Sequence, residues 1–417
     1  MVSSLGEEVI TEMSGSTYSS GTVVAIAVVF IIIGAGVGYG ASWLIAAPDG
    51  GPGPVGETLK AGFIYVGPIG DYGWSHAHDQ GRLYVEGKYS WLETVYLESV
   101  PEDQTENRID YLVNEQGCDV IFTTSFGFMD GTIAAAANHP DTIFFHCSGY
   151  LRAANVGTYF ADFYQLYYLN GLMAGALTSS GKIGYVAAFP LPELIRHINA
   201  FELGAQEANA SVTCEVRWLL TDWYDPIAAR SAAEALVAAG CDVLAFTEDS
   251  PTVLEVAEEN PGVLAFSHYS PMQYFANDSC ISGQLADWGV MYEDILQKIY
   301  LGQYTNTNLE DVDYLWLLQE GGIELGGLFT EKINTEFVDD LQGIDVVDPV
   351  LGTISVYDLV MTRYAQMSDV NVVFEPFTGP LYNQTDDLIV QDGVRMTTGE
   401  LLTMDWFVKG VIGDASP

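Results

Sequence analysis

Four aromatic rings and five carboxylates stand where apolar runs of this chain give way to polar turns. The rings are Trp74, Phe126, Trp223 and Trp288, and the carboxylates are Asp71, Asp222, Glu248, Asp249 and Asp287, with the Ser125 hydroxyl beside Phe126. A flat ring offers a stacking surface, and a carboxylate offers hydrogen-bond acceptors. Such a set suits a flat, hydrogen-bonding molecule that is uncharged or cationic. No Arg/Lys cluster accompanies it, which disfavours phosphate and carboxylate ligands. Catalytic patterns are missing: there is no GxSxG, HExxH or Walker loop. Residues 175–183, GALTSSGKI, have one residue too many for a phosphate loop and lack the Ser/Thr after Lys182. His76 and His78 lie two apart on an expected helix and point to different faces, so a shared metal is not expected. The reading is a binding protein without enzyme activity, metal or cofactor.

The elements that position these residues follow one plan. Ala61 to Val66 is a short apolar run read as a buried strand, Gly67 to Gly73 breaks it, and a helix-competent segment starts near Trp74. Strands are expected at 92–100, 117–124 and 142–146, with helices between them. The order then repeats: strands at 182–189, 212–220, 240–247 and 263–268 alternate with helices at 194–208, 226–239 and 252–259. The clearest echo is Gly117-Cys-Asp-Val-Ile-Phe against Gly240-Cys-Asp-Val-Leu-Ala-Phe. Two copies of an α/β unit predict two doubly wound parallel-sheet lobes whose strand-end loops face each other across a cleft, a favoured ligand site. The Tyr- and Leu-rich segment 159–178 is read as helical core at their junction.

Composition bounds the partners. Lys and Arg total 14 against 56 Asp and Glu, a formal net charge of −42, which would repel a nucleic-acid backbone. Such a surface suits a salty medium. Five cysteines form no CxxC pair, and Cys118, Cys147 and Cys241 fall in or beside apolar runs, as buried thiols do. No charge occurs between Glu12 and Asp49, and Thr22 to Ala47 is long and apolar enough for one membrane-spanning helix. The expected organisation is a short acidic tail (1–21), a transmembrane anchor (22–47), a Pro/Gly linker (48–58), lobe I (59–160), lobe II (161–287), and a C-terminal part (288–417) completing the lobes and hinge. Sequons at Asn209, Asn277 and Asn383 are compatible with an exported domain.

Several motifs carry a resemblance. Tyr65-Val-Gly-Pro-Ile-Gly-Asp-Tyr-Gly-Trp74 with His78-Asp-Gln-Gly-Arg82, Phe122-Thr-Thr-Ser-Phe-Gly127, Trp223-Tyr-Asp-Pro226, Asp287-Trp288-Gly289 and Phe377-Thr-Gly-Pro380 resemble the basic membrane protein family. These are substrate-binding proteins of ABC importers, similar to purine nucleoside receptor lipoproteins. The resemblance runs from about residue 60 to 410. It implies a type I periplasmic-binding fold: two lobes, three crossovers and a hinge, with the ligand enclosed by closure. It also implies a purine ring between Trp74 and Trp223; Asp71 and Ser125 are expected at the edge of that ring. The positions that contact ribose in the nucleoside receptors fall on Ser267-His268-Tyr-Ser270 and Asp287, where the match is poor. Base recognition is therefore better supported than ribose recognition. The chain departs from the family in replacing the N-terminal lipid-bearing Cys with a membrane helix. The partners implied are a purine nucleoside or nucleobase, a permease and ATPase, and a cell membrane crossed once, with the binding domain extracytoplasmic. The alternatives are a sensory ectodomain of the same fold and a nucleoside-processing enzyme.

Overall fold

The computed structural model describes residues 58–417. The expected acidic tail, anchor and linker up to residue 57 lie outside the described residues. Within them, no helix is long and apolar enough to cross a membrane.

The first five strands are β1 (Leu59–Ile64), β2 (Leu92–Leu97), β3 (Val120–Thr123), β4 (Ile143–Cys147) and β5 (Val156–Ala161), with α1 (Trp74–Lys88), α2 (Thr105–Asn114) and α3 (Met129–Asn138) between them. The chain then crosses through Asp162 and Phe163 into α4 (Tyr164–Leu177). Lobe II follows with β6 (Lys182–Ala187), α5 (Pro192–Ala208), β7 (Thr213–Trp218), α6 (Pro226–Ala238), β8 (Val243–Thr247), α7 (Thr252–Glu259), β9 (Leu264–Tyr269) and β10 (Cys280–Ala286). At Asp287 it returns to lobe I for α8 (Trp288–Tyr300) and β11 (Asp313–Trp316), and residues 317–322 carry it back for β12 (Ile323–Leu325). Three crossovers therefore join the lobes.

The lobe I sheet is all parallel, ordered β11-β5-β4-β3-β1-β2. The lobe II sheet runs β12-β10-β9-β8-β6-β7 and ends on the short strand Val411–Ile412, with only β12 antiparallel. Both lobes thus place their first strand between their second and third. The order reverses there, and ligands of open α/β sheets bind at the carboxyl ends of strands at such a point.

The repeated Gly-Cys-Asp has a structural explanation. Gly117 (φ 69°) and Gly240 (φ 94°) turn the chain out of a helix through left-handed backbone. The Cys behind each is buried, as are all five thiols. Asp119 accepts from the Lys60 amide at 2.8 Å, and Asp242 accepts from the Ser179 and Ser180 amides, so each ties down the chain entering its lobe's first strand. Segment 159–178 departs from the uniformly helical reading: its start completes β5. A buried parallel strand and a buried helix are both continuously apolar, so periodicity does not separate them.

The first crossover is pinned by charge. Asp162 accepts from Arg196 Nε and Nη2, both at 2.8 Å, and Arg196 Nη1 donates to the Leu401 carbonyl at 2.6 Å. Asp162 and Arg196 are buried, and although burial opposes it, the Arg196 guanidinium with His197 holds the Asp162 carboxyl below its ordinary value. Removing one member would leave the other charge buried and unpaired. Arg196→Ala is expected to lower the unfolding free energy by about 3–5 kcal/mol in urea titration. A loss below about 1 kcal/mol would mean that the pair does not hold the hinge.

Candidate functional site: a cavity between the lobes

The lobes touch where their strand ends meet. A Cβ added to Gly73, in the turn after β1, would lie 2.6 Å from the Asp249 Cα in the turn after β8. Glycine is required there by close approach of the opposite backbone. Ser270 Oγ donates to the Tyr72 carbonyl across the same junction, and Tyr72 packs edge-on against Phe275 at 5.0 Å. Tyr72, Ser148, Leu220 and Tyr269 all have positive φ, between 58° and 63°; Tyr72 stands in the turn before α1, and the other three lie at the end of a strand or one or two residues beyond it. Non-glycine residues held this way mark sites where the surrounding structure enforces strain.

Between these contacts lies a narrow cavity, part of it open to solvent. Lobe I contributes Val66, Trp74, Thr124, Ser125, Phe126 and Ser148; lobe II contributes Glu193, Trp223, Asp249 and Tyr269. Trp74 and Thr124–Phe126 follow β1 and β3, and Glu193 and Asp249 follow β6 and β8. These are the switch points of the two sheets, brought face to face.

Trp74 is held on three sides. Its Nε1 donates to the Thr124 carbonyl at 2.5 Å, and its ring meets His78, Tyr269 and Trp288 edge-on at 4.6, 4.9 and 5.2 Å. Trp223 is half-buried and packs edge-on against Phe189 at 5.1 Å. Its carbonyl accepts from the Asp249 amide at 2.8 Å, tying the turns after β7 and β8 together. Phe126 is 38% exposed at the rim, and Ser125 Oγ donates to Glu102 at 2.7 Å.

The carboxylates divide by role. Asp71 does not line the cavity. Its oxygens accept from the Gly73, His76 and Ser75 amides at 2.8, 3.0 and 3.2 Å, capping α1 from two residues before its N-cap Gly73. Asp249 lines the cavity, is 2% exposed, and has an Oδ1 without a hydrogen-bond partner. Burial pushes its pKa well up, and Asp71 and Glu248 add to the rise. Burial likewise raises Asp71 to about 6, against the pull of its three amides. Glu193, partly buried, is pushed up to about 8 by its enclosure.

Other expected site residues lie elsewhere. Glu248 is fully buried behind the cavity, bonded by Ser250 Oγ at 3.0 Å. His268 is enclosed in lobe II with Nδ1 2.9 Å from the Tyr167 hydroxyl, and burial keeps it neutral by lowering its pKa. Trp288 is fully buried and stacks on His78 at 4.2 Å; it and Asp287 line a neighbouring cavity. Glu193, Ser148 and Tyr269 line the first cavity without having been singled out. The repeat itself held the signal for Glu193, since it follows the first strand of lobe II as Trp74 follows that of lobe I. Among the described residues, no group of three or more His, Cys, Asp or Glu is arranged to hold a metal ion.

Residues 58–358 match the family described as PnrA-like ABC transporter substrate-binding proteins, Bmp. The chain belongs to this family. A putative ABC transporter glucose-binding protein from Haloferax volcanii is 40% identical over 282 residues, 68% of this chain and 69% of that protein. A purine-binding protein from Brucella abortus is 32% identical over 366 residues, 87% of this chain and 95% of that protein. Among solved structures, an ABC transporter solute-binding protein from Aeropyrum pernix aligns with a TM-score of 0.61 at 16% identity, covering 74% of this chain and 91% of that one. That likeness supports the fold. The protein is thus a Bmp-family substrate-binding protein of an ABC transporter.

The clustered carboxyls give stability a pH dependence with a definite sign. Asp71, Glu248, Asp249 and Glu193 all have folded pKa values above their ordinary ones, so the folded state keeps protons that the unfolded chain has released. Their stabilising contribution is complete below about pH 4 and is lost as pH rises through about 6 for Asp71 and about 8 for Glu193. The melting temperature should fall from pH 5 to pH 8, and fall less in Asp249→Asn, which removes one titrating group from the set. Equal slopes in differential scanning calorimetry would contradict this coupling.

Proposed function

We propose that this chain is an extracytoplasmic, membrane-tethered receptor that captures a purine base or purine nucleoside between its lobes and presents it to an ABC permease and its ATPase. The observation carrying the ligand assignment is that one cavity is bounded by Trp74 from lobe I and Trp223 from lobe II. A base stacked on an aromatic side chain gains roughly 1–3 kcal/mol. With one ring on each lobe, both gains exist together only when the lobes are closed, so a ligand that uses both favours closure. Asp249, buried with a free oxygen, suits a ring nitrogen or exocyclic amino group. The Brucella relative's purine-binding name is consistent with this reading, and the tether rests on the apolar segment from Thr22 to Ala47.

A sugar is the second reading, favoured by the name of the Haloferax relative. A hexose presents hydroxyls around its whole rim and needs many paired donors and acceptors. Among the described residues lining the cavity, none is Arg, Lys, Asn or Gln, which favours a purine. Calorimetric titration with adenine, adenosine and glucose separates the two readings. Adenine is expected to bind, glucose to give no heat, and Trp74→Ala and Trp223→Ala each to weaken adenine about ten- to a hundredfold. Glucose binding without purine binding would overturn the assignment.

A further inference from the structure

Two cavities lie between the lobes, and Tyr269 lines both. The second is the roomier of the two. It opens between α1 and α8 of lobe I and the segment that follows β9 in lobe II. Its polar lining includes Gln80, Ser270 and Asp287.

The Tyr269 ring stands at the junction of the two. It is 2% exposed and packs edge-on against Trp74 at 4.9 Å and Phe163 at 5.1 Å. Its backbone is left-handed, φ 62°, a conformation that an L-residue rarely adopts. The strained backbone and the packed ring together keep this side chain beside the cavity wall formed by Trp74.

We propose that Tyr269 is a specificity residue that ends the ligand cavity, so that the site takes a free purine base and turns away the corresponding nucleoside. The inference rests on the purine reading above. A nucleoside adds to its base a sugar of comparable bulk, whose hydroxyls need acceptors and donors of their own. In the first cavity Asp249 offers the base a buried oxygen without a hydrogen-bond partner. The groups suited to a vicinal diol, Asp287 with Gln80 and Ser270, line the second cavity, beyond Tyr269. Exclusion here is steric, a clash built against the larger ligand.

The test is calorimetry with adenine and adenosine on the parent protein, Tyr269→Gly and Tyr269→Phe. Glycine is chosen because it is at home at positive φ and joins the two cavities; Phe keeps the ring if the glycine variant folds poorly. The parent and Tyr269→Phe should prefer adenine to adenosine by at least about a hundredfold, and Tyr269→Gly should narrow that gap to within about tenfold. A parent that binds adenosine within tenfold of adenine overturns the inference and leaves the purine reading standing. A glycine variant that folds yet keeps the full preference shows that Tyr269 is not the partition. Binding of neither compound overturns the purine reading, and this inference with it.

Discussion

The closed junction of Gly73 with Asp249 is the constraint on which the site depends. Only a residue without a Cβ lets the first turn of lobe I approach the third strand end of lobe II so closely. That approach takes Asp249 and Asp71 out of water beside one another, and it sets Trp74 against Tyr269. Two carboxyls sharing one dry junction cannot both ionise without cost, and desolvation raises both. The ring pair, the free Asp249 oxygen and the raised carboxyls therefore share one cause. Each is a consequence of two sheets meeting at their switch points.

Most of the fold was legible because it is written twice. Alternating apolar runs and Gly/Pro breaks give the βα order, and the repeated Gly-Cys-Asp marks corresponding places in the two lobes. Strands β5, β10 and β11 were not found, because a fully buried strand at a crossover has no alternation and β11 is supplied from far along the chain. The site was legible in part. Trp74, Ser125, Phe126, Trp223 and Asp249 line one cavity, since strand-end turns locate them. Asp71 sits in the right turn but caps α1, and Glu248 lies one residue from the cavity wall with its side chain turned inward. Position along the chain places a residue near a cleft, and the direction of its side chain follows only from the fold.

The charge balance shows where the few basic residues matter. Arg82, Arg196 and Arg363 are buried, each paired with carboxylates: Arg82 with Asp79, Arg196 with Asp162, Arg363 with Asp348. The remaining acidic excess lies mostly at the exterior, where it keeps the protein hydrated and repels polyanions. A neutral or weakly basic heterocycle meets no such barrier on its way into the cleft. Surface charge and cavity chemistry are both compatible with the proposed class of ligand, though they arise from different residues.

The central claim is that a purine is enclosed by closure of the two lobes. It is tested most directly by measuring the distance between them. Asp103 follows β2 and Ile227 opens α6, both exposed at the cleft-facing ends of their sheets, while all five native cysteines are buried. Spin labels on Asp103→Cys and Ile227→Cys would therefore report lobe separation by pulsed electron paramagnetic resonance. The expected result is one short, narrow distance distribution with adenine and a longer or broader one without it. Identical distributions in a protein that binds adenine would contradict enclosure between the lobes.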